Sequence, residues 1–389
     1  MDETIKLYDL DAYQEQFQGR VLSCEETVLG KQKACAVILD RTLFFPEEGG
    51  QSADSGFLDG IPVLDVHIKN NVITHYLASP TEVGKSVEGS IDFEERFSKM
   101  QQHTGEHIFS GLALSHFGLH NVGFRLSSQE TTMDYDGELT AEQVQLLELE
   151  ANRAIWKNLK VTAEYPSPEV LENLDYRSKR EIQGAVRIVS IEGVDVCACC
   201  APHVRNTGEI GLLKVLSHER YKGGIRLHIV CGERALLDYE KKLENCLQIS
   251  ALLSAKPDET AEAVKKQGLQ LEKEKQERVF SERRYVGMRA EQIKGGEGNL
   301  ILFEEELSPI SQRELANALT KKTSGFVLVL CGDAAKGCRY ILSAANRDVR
   351  PLNKELQTAF GARGGGSFEM TQGMLTVDKE KFEEWFISR

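Results

Sequence analysis

The segment QQHTGEHIFSGL, Gln101–Leu112, sets two histidines four residues apart in a stretch whose apolar residues recur at helical spacing. That periodicity predicts an amphipathic helix from Phe97 to Phe117. On a helix, positions i and i+4 share a face one turn apart, so His103 and His107 can reach a single ion. Such a pair alone is ordinary. A second segment gives it meaning: in VDVCACCAPHVRNTGEIG, Val194–Gly211, Cys199 and His203 form a Cys-x-x-x-His. A helical histidine pair and a tight Cys–His segment together supply the nitrogen and sulfur donors of a tetrahedral zinc site. The choice of thiol stays open, because Cys197, Cys199 and Cys200 all lie within reach of His203. Cys197 and Cys200 also make a C-x-x-C, but no strand–turn–helix pattern frames them as a redox pair.

Outward from the helix the text changes character. Before it, short strands at Arg20–Cys24, Cys35–Leu39, Ile61–Ile68 and Val72–Leu77 are separated by turn residues, the pattern of a small antiparallel barrel. After it, a helix over residues 141–158 and strands near Val186–Ile191 and Leu212–Leu216 read as α+β. Residues Glu233–Ser254 and Asp258–Ile293 read as charge-laced helices, with Pro257 where a first-turn proline belongs. The stretch LEKEKQER, Leu271–Arg278, suits an exposed spacer or dimerisation arm. Apolar strands at Gly325–Leu330 and Tyr340–Ser343 close the chain in an alternating pattern. The expected fold is an α+β multidomain protein. It comprises an N-terminal β-barrel (1–90), an α+β zinc-containing core (91–235), a helical linker (236–296) and a C-terminal α/β domain (297–389).

Composition bounds the partners. Of 389 residues, 41% are hydrophobic and 28% charged, which supports a sizeable core and excludes wholesale disorder. No apolar run approaches the roughly 20 residues of a membrane span, so no membrane partner is expected. The acidic start MDETIKLYDLDAY lacks the regions of a signal peptide, and nine cysteines are too sparse and odd for a disulfide scaffold. Reduced thiols in the cytoplasm are expected. The net charge of −13 is uneven: residues 1–150 carry 10 basic and 26 acidic side chains, whereas residues 151–389 carry 37 and 34. An RNA partner would therefore approach through the later two-thirds.

Read literally, HTGEH is also H-x-x-E-H, a metalloprotease signature with Glu106 as base. That signature needs a downstream carboxylate ligand and has no use for Cys199 and His203, which leaves Glu106 as a neighbour on the helix. Four stretches together resemble a different family, the long alanyl-tRNA editing proteins, free-standing relatives of the editing and C-terminal domains of alanyl-tRNA synthetase. HTGEH is similar to the family's His-x-x-x-His, and CCAPHVRNTGEIG to its Cys-x-x-x-His followed by Asn-Thr-Gly-Glu-Ile-Gly. RTLFFPEEGGQSADSG, Arg41–Gly56, resembles its glycine motif, and GARGGGSFEMTQG, Gly361–Gly373, its C-terminal glycine-rich signature. Cys200 and Glu48 depart from the usual glycine and glycine or serine.

The resemblance implies one zinc per chain, held by His103, His107, Cys199 and His203, with the two helical histidines at the catalytic centre. It places Gly49, Gly50 and Gln51 beside the substrate cleft. A polar pocket residue is expected among Ser127, Thr131 and Thr132, and RNA contact at Arg363, Gly364, Gly365 and Gly366. Phe360 and Phe368 could stack on a base or belong to the core. The implied reaction is hydrolysis, in trans, of the ester that joins a wrong amino acid, serine before glycine, to tRNA(Ala). Nothing before residue 90 is long enough for an aminoacylation domain. The rival readings are a zinc-stabilised tRNA-binding protein without catalysis and the H-x-x-E-H protease. A homodimer through the helical arm or the C-terminal domain is left open.

Overall fold

A computed structural model describes residues 3–178 and 184–389. The chain divides into two compact units, residues 1–245 and 246–389.

In the first unit, strands β1 (Gln16–Leu29), β2 (Gln32–Leu39), β3 (Gly56–Leu58), β4 (Ile61–Lys69), β5 (Val72–Leu77) and β6 (Ser86–Ile91) come first. They are hydrogen-bonded in the order β1-β2-β5-β4-β3-β6, with β6 returning to β1 to close a barrel. Alternation drives this: along β1, Phe17, Gly19 and Val21 turn inward while Gln16, Gln18 and Arg20 face out. The interior is apolar, built from Val37, Leu39, Phe44, Val66, Ile73 and Leu77, with one histidine among them. His75 is fully buried, its Nδ1 3.2 Å from the Val37 carbonyl and its Nε2 2.8 Å from Thr42 Oγ1. The carbonyl can only accept, so Nδ1 carries a proton.

Helix α1 (Phe93–Phe117) follows, four residues longer at its start than its periodicity indicates, because Asp92 caps it by accepting from Glu95 N. Left-handed Gly118 ends it. From Met100 to Gly111 every residue is buried, since sheets cover the helix on several sides. One is β12-β13-β8-β7, made of Leu213–Tyr221, Gly224–Cys231, Thr131–Tyr135 and Asn121–Leu126. The other is β9-β10-β11, made of Val161–Glu164, Ile188–Ile191 and Asp195–Ala198. Helix α2 (Ala141–Trp156), opened by a capping box of Thr140 and Gln143, packs against α1 and lends Leu147, Ala151 and Ile155 to the shared core.

A buried helix must pair its polar side chains. Arg96 donates through Nε to Asp54 Oδ2 (2.9 Å) and through Nη2 to the Leu43 carbonyl (2.6 Å). Lys99 Nζ donates to the Ala53 carbonyl (2.5 Å), and Gln101 Nε2 to the Glu209 carbonyl (2.8 Å). Gln102 accepts from Cys231 N and donates to its carbonyl, at 2.7 and 2.9 Å. These bonds tie one helix to the barrel loop, to the segment after Cys199 and to the large sheet.

The second unit takes α4 (Thr260–Gln292) and the end of α3 (Glu233–Leu253), then β14 (Leu300–Glu304), α5 (Pro309–Thr320), β15 (Phe326–Asp333), β16 (Gly337–Ala344), α6 (Arg350–Phe360), β17 (Arg363–Gly366), β18 (Met370–Leu375) and α7 (Lys379–Ile387). Its sheet runs β14-β15-β16-β18-β17. Only β14–β15 is parallel; β15 turns directly into β16, and the remaining pairs are antiparallel. This unit is therefore α+β rather than the expected α/β: apolar strand runs do not reveal direction, and the hairpin at Asp333–Gly337 reverses it. The glycine run belongs to this sheet. A Cβ on Gly364 would come within 2.1 Å of the Gln372 carbonyl oxygen, and one on Gly366 within 2.2 Å of that of Met370. Close strand pairing therefore requires those two glycines, whereas Arg363 is exposed on the edge. Phe360 packs on Phe382 and Trp385 in the core, and Phe368 is 46% exposed beneath the Arg350 guanidinium.

Burial lowers the His75 pKa to about 4 from an ordinary 6.5. The unfolded chain therefore binds the proton first, and stability falls as pH drops from about 6.5 towards 4. Urea unfolding at pH 7 and pH 5 should show about 2 kcal/mol lost through this group. His75→Gln should lose that much less over the same interval; an unchanged difference would refute the assignment.

Candidate metal centre

Helix α1 and the segment after β11 meet as the spacing of their donors requires. His103, His107, Cys199 and His203 each offer a ligand atom, and these atoms all lie within 4.8 Å of one another. Cys199 Sγ is 3.5 Å from His103 Nε2 and 3.4 Å from His203 Nε2. A tetrahedral zinc bound at ordinary Zn–N and Zn–S lengths would set nitrogen and sulfur about 3.5 Å apart. The imidazole rings stand 4.6 to 5.4 Å apart, and Phe124 lies 4.7 Å from the His103 ring.

The opposite nitrogens face polar partners. His103 Nδ1 is 2.8 Å from Gln51 Oε1, His203 Nδ1 is 3.0 Å from Thr104 Oγ1, and His107 Nδ1 is 3.0 Å from Asp195 Oδ2. The Thr104 hydroxyl gives its one proton to the Met100 carbonyl (2.8 Å), so towards His203 it can only accept. Asp195 is itself gripped by Arg177, with Nε to Oδ1 at 2.6 Å and Nη2 to Oδ2 at 2.8 Å. Ligating histidines characteristically donate their second N–H to such groups, so the donor set fits a zinc-class cation.

The electrostatics agree. Burial alone would raise the Cys199 thiol, but the His103 and His203 imidazoles outweigh it and hold the group well below its ordinary value. Burial pushes His203 down to about 3. Thiolate and neutral imidazole are the forms that bind metal. Burial would lower His107 as well; the sulfur of Cys197, the Asp195 carboxylate and Cys199 overcome it and raise this imidazole. Of these groups Asp195 and Cys199 are held in their charged forms, and theirs is the negative charge a cation would neutralise.

The three thiols separate. Cys199 joins the four-residue cluster. Cys197, also buried, groups with His107 and Asp195, while Cys200 Sγ would lie 3.6 Å from a Cβ on Gly49. Glu106, a neighbour of the histidines on the helix, is fully buried; its Oε1 accepts from Ser110 Oγ and Asn121 Nδ2, both at 2.7 Å, and its Oε2 is 3.8 Å from His107 Nε2. Tyr135 OH meets the same Ser110 at 2.8 Å. A cavity of about 580 Å³ opens here, lined in part by Gly111, His120, Asn121, Arg177 and Asp195.

Gly49 and Gly50 form a tight turn, both at positive φ (64° and 88°), closed by Glu48 and Gln51. A Cβ on Gly50 would approach the Phe124 carbonyl oxygen to 2.3 Å, so only glycine lets this turn dock on β7. Ser127 Oγ accepts from Gln129 N and Glu130 N and so closes the β7–β8 turn. Thr131 and Thr132 point to opposite faces, as strand neighbours must. Thr131 shares the core face with Met133 and Tyr135; its Oγ1 is buried and has no hydrogen-bond partner among the described residues. Thr132 shares a face with Asp134, the partner of Arg226. Arg363–Gly366 lies in the other unit. Sequence reading missed Thr104, Asp195 and Arg177. Asp195 was open to discovery, because Asp195 and Cys197 share the buried face of β11 and Cys199 follows its end.

Residues 186–228, which carry Cys199 and His203, match the family described as "Threonyl and Alanyl tRNA synthetase second additional domain". Residues 8–95, spanning the barrel, match "tRNA synthetases class II (A)". Two segments of the chain, one with the barrel and one with Cys199 and His203, thus match domains of the tRNA-synthetase type. Relatives matched over longer stretches narrow this further. The chain is 28% identical over 397 residues to Alanyl-tRNA editing protein AlaX-L of Pyrococcus horikoshii, across 97% of this chain and 96% of the other. It is 34% identical over 269 residues to Alanyl-tRNA editing protein Aarsd1-B of Xenopus laevis, across 66% of this chain and 65% of that protein. With Alanine–tRNA ligase of Methanococcus vannielii it shares 29% identity over 400 residues, 99% of this chain but 43% of the ligase. The chain belongs to the alanyl-tRNA editing proteins, the family its four motifs resemble.

The separation of the thiols makes a direct test. In equilibrium dialysis against zinc, Cys197→Ala should bind as the wild type does and Cys199→Ala should lose the site. The reverse result would show that the cluster is assembled around the wrong sulfur.

Proposed function

We propose that this chain is a trans-editing hydrolase that removes serine, and more slowly glycine, from mischarged tRNA(Ala). The observation that carries the reading is the convergence of three imidazoles and one thiol, each imidazole backed by a polar partner, in a chain of this family. One zinc per chain would be held by His103, His107, Cys199 and His203. Bound zinc supplies Lewis-acid polarisation of an ester carbonyl or of a water. Around it the protein's own groups do the rest. His103 and His107 stand at the reacting end, while the buried Glu106, Ser110, Asn121 and Tyr135 keep the adjoining wall polar through the bonds that Glu106 Oε1 and Ser110 Oγ make.

Editing is needed because an activation site for alanine rejects glycine or serine by only about 10- to 200-fold. The editing site faces the converse task of sparing alanine. A buried hydroxyl without a partner can perform it. Thr131 Oγ1 would pair with the seryl hydroxyl and be left unpaired by alanine, which discriminates by roughly 10⁴-fold where it is complete. Ser127 and Thr132 support the same wall from the turn and the far face. Gly49 and Gly50 form its exposed rim. The tRNA body would be met by Arg363 and the edge strand Gly364–Gly366, in the part of the chain without net negative charge. The site of action is the cytoplasm, and a homodimer through α3 and α4 or the C-terminal unit belongs to the same reading. Exposed Leu252, Leu269 and Phe280 on those helices support it.

Purified protein should deacylate seryl-tRNA(Ala) fastest, glycyl-tRNA(Ala) next and alanyl-tRNA(Ala) least, and chelator should abolish all three activities. Thr131→Val should narrow the seryl-to-alanyl ratio by about tenfold or more, the effect of one lost buried hydrogen bond. Binding of tRNA without release of any amino acid would instead identify a metal-stabilised binding module.

A further inference from the structure

We infer that Gln51 is a positioning residue for the metal centre: its side-chain carbonyl fixes the tautomer of His103 and makes the N-terminal barrel part of the site. The inference rests on the ligand assignment proposed above and concerns what holds those ligands ready.

Gln51 is fully buried, and its Oε1 lies 2.8 Å from His103 Nδ1. Its Nε2 has no hydrogen-bond partner among the described residues. A buried amide that leaves its donor unmatched costs free energy, so the matched carbonyl marks the functional end. A carbonyl oxygen accepts only. It therefore keeps the proton on Nδ1 and the lone pair on Nε2, the atom 3.5 Å from Cys199 Sγ. With the amide turned over, Nε2 of Gln51 would donate to Nδ1, the ring proton would move to the other nitrogen, and that nitrogen could no longer ligate.

The backbone explains why the residue can be there. Gln51 N donates to the Glu48 carbonyl (3.0 Å), Leu126 N to the Gly50 carbonyl (2.7 Å) and Ser52 N to the Leu126 carbonyl (2.9 Å). The glycine turn is thereby bonded to β7 on both sides of Gln51. Two residues on, the same loop supplies the Ala53 carbonyl to Lys99, and then Asp54 to Arg96, one and two turns before His103 on α1. Loop and helix are locked in one register, and the Gln51–His103 bond is the last member of that series. Sequence reading placed Gln51 at the substrate cleft. Its full burial and its place on the side of the imidazole away from Cys199 argue instead for a support.

The test compares Gln51→Leu, which keeps bulk and removes the acceptor, with Gln51→Glu, which keeps the acceptor. Zinc affinity is measured by competition with a chromophoric chelator, the cobalt-substituted proteins by their visible spectra, and the metal-free proteins by thermal unfolding in excess chelator. Gln51→Leu should bind zinc about 10- to 100-fold more weakly and shift the cobalt bands, while its metal-free form unfolds no lower than the wild type. Gln51→Glu should restore affinity to within several-fold. Wild-type affinity and an unchanged cobalt spectrum in Gln51→Leu would overturn the inference. So would a metal-free Gln51→Leu protein that unfolds well below the wild type, or a Gln51→Glu protein as weak as the leucine variant. A wild-type protein that takes up neither ion would defeat the ligand assignment itself, a failure distinct from these.

Discussion

Helix α1 lies inside the protein yet carries Arg96, Lys99, Gln101, Gln102, Thr104, Glu106 and Ser110 on buried positions. An unpaired polar group there costs on the order of 1–3 kcal/mol, and a charge more. Each must therefore find a partner in another element, and together those partners determine what can surround the helix. Arg96 and Lys99 summon the barrel loop at Ala53–Asp54, Gln101 the segment at Glu209, and Gln102 the end of β13 at Cys231. Removing one member of the fully buried Arg96–Asp54 pair would strand the other, at about 3–5 kcal/mol. Helix rotation and rise are thus set before any metal is considered.

That placement is what makes the cluster. With α1 held, His103 and His107 face the segment just after β11, where Cys199 lies, and His203 closes the set from four residues further on. Each imidazole meets a different partner behind it: an amide carbonyl, a hydroxyl already committed as donor, and a carboxylate held by Arg177. Three separate regions of the chain contribute to one preorganised set of donors. Buried thiolate and imidazole form a poor resting arrangement without a cation, and the opposing pulls on Cys199 and His107 express that demand. The energetic cost of assembling the site falls on folding, so that little reorganisation is left for binding.

The sequence was most legible where periodicity and chemistry coincide. The histidine pair stands out because four residues is both a helical turn and a chelating distance. The strands around Val72–Leu77 stand out because period-2 alternation is sharp in a half-buried sheet. Elsewhere the local signal ran out. Three cysteines in four positions look equivalent in one dimension, and only the end of β11 directs Cys199 and not Cys200 to the histidines. Thr131 and Thr132 look interchangeable until strand pairing puts them on opposite faces. Thr104, Asp195 and Arg177 act through side-chain partners up to 99 residues away, which no window of sequence reports. In the C-terminal unit, apolar runs marked the strands but not their directions. The glycines at 364 and 366, attractive as a phosphate loop, answer first to the backbone of β18.

The central claim is that the fold presents three imidazole nitrogens and a single sulfur to one ion. X-ray absorption at the zinc edge of the purified, zinc-loaded protein measures that set directly. The expected first shell contains three nitrogens at about 2.0–2.1 Å and one sulfur at about 2.3 Å. A shell with two or more sulfurs, or with none, would contradict the arrangement of His103, His107, Cys199 and His203 described above.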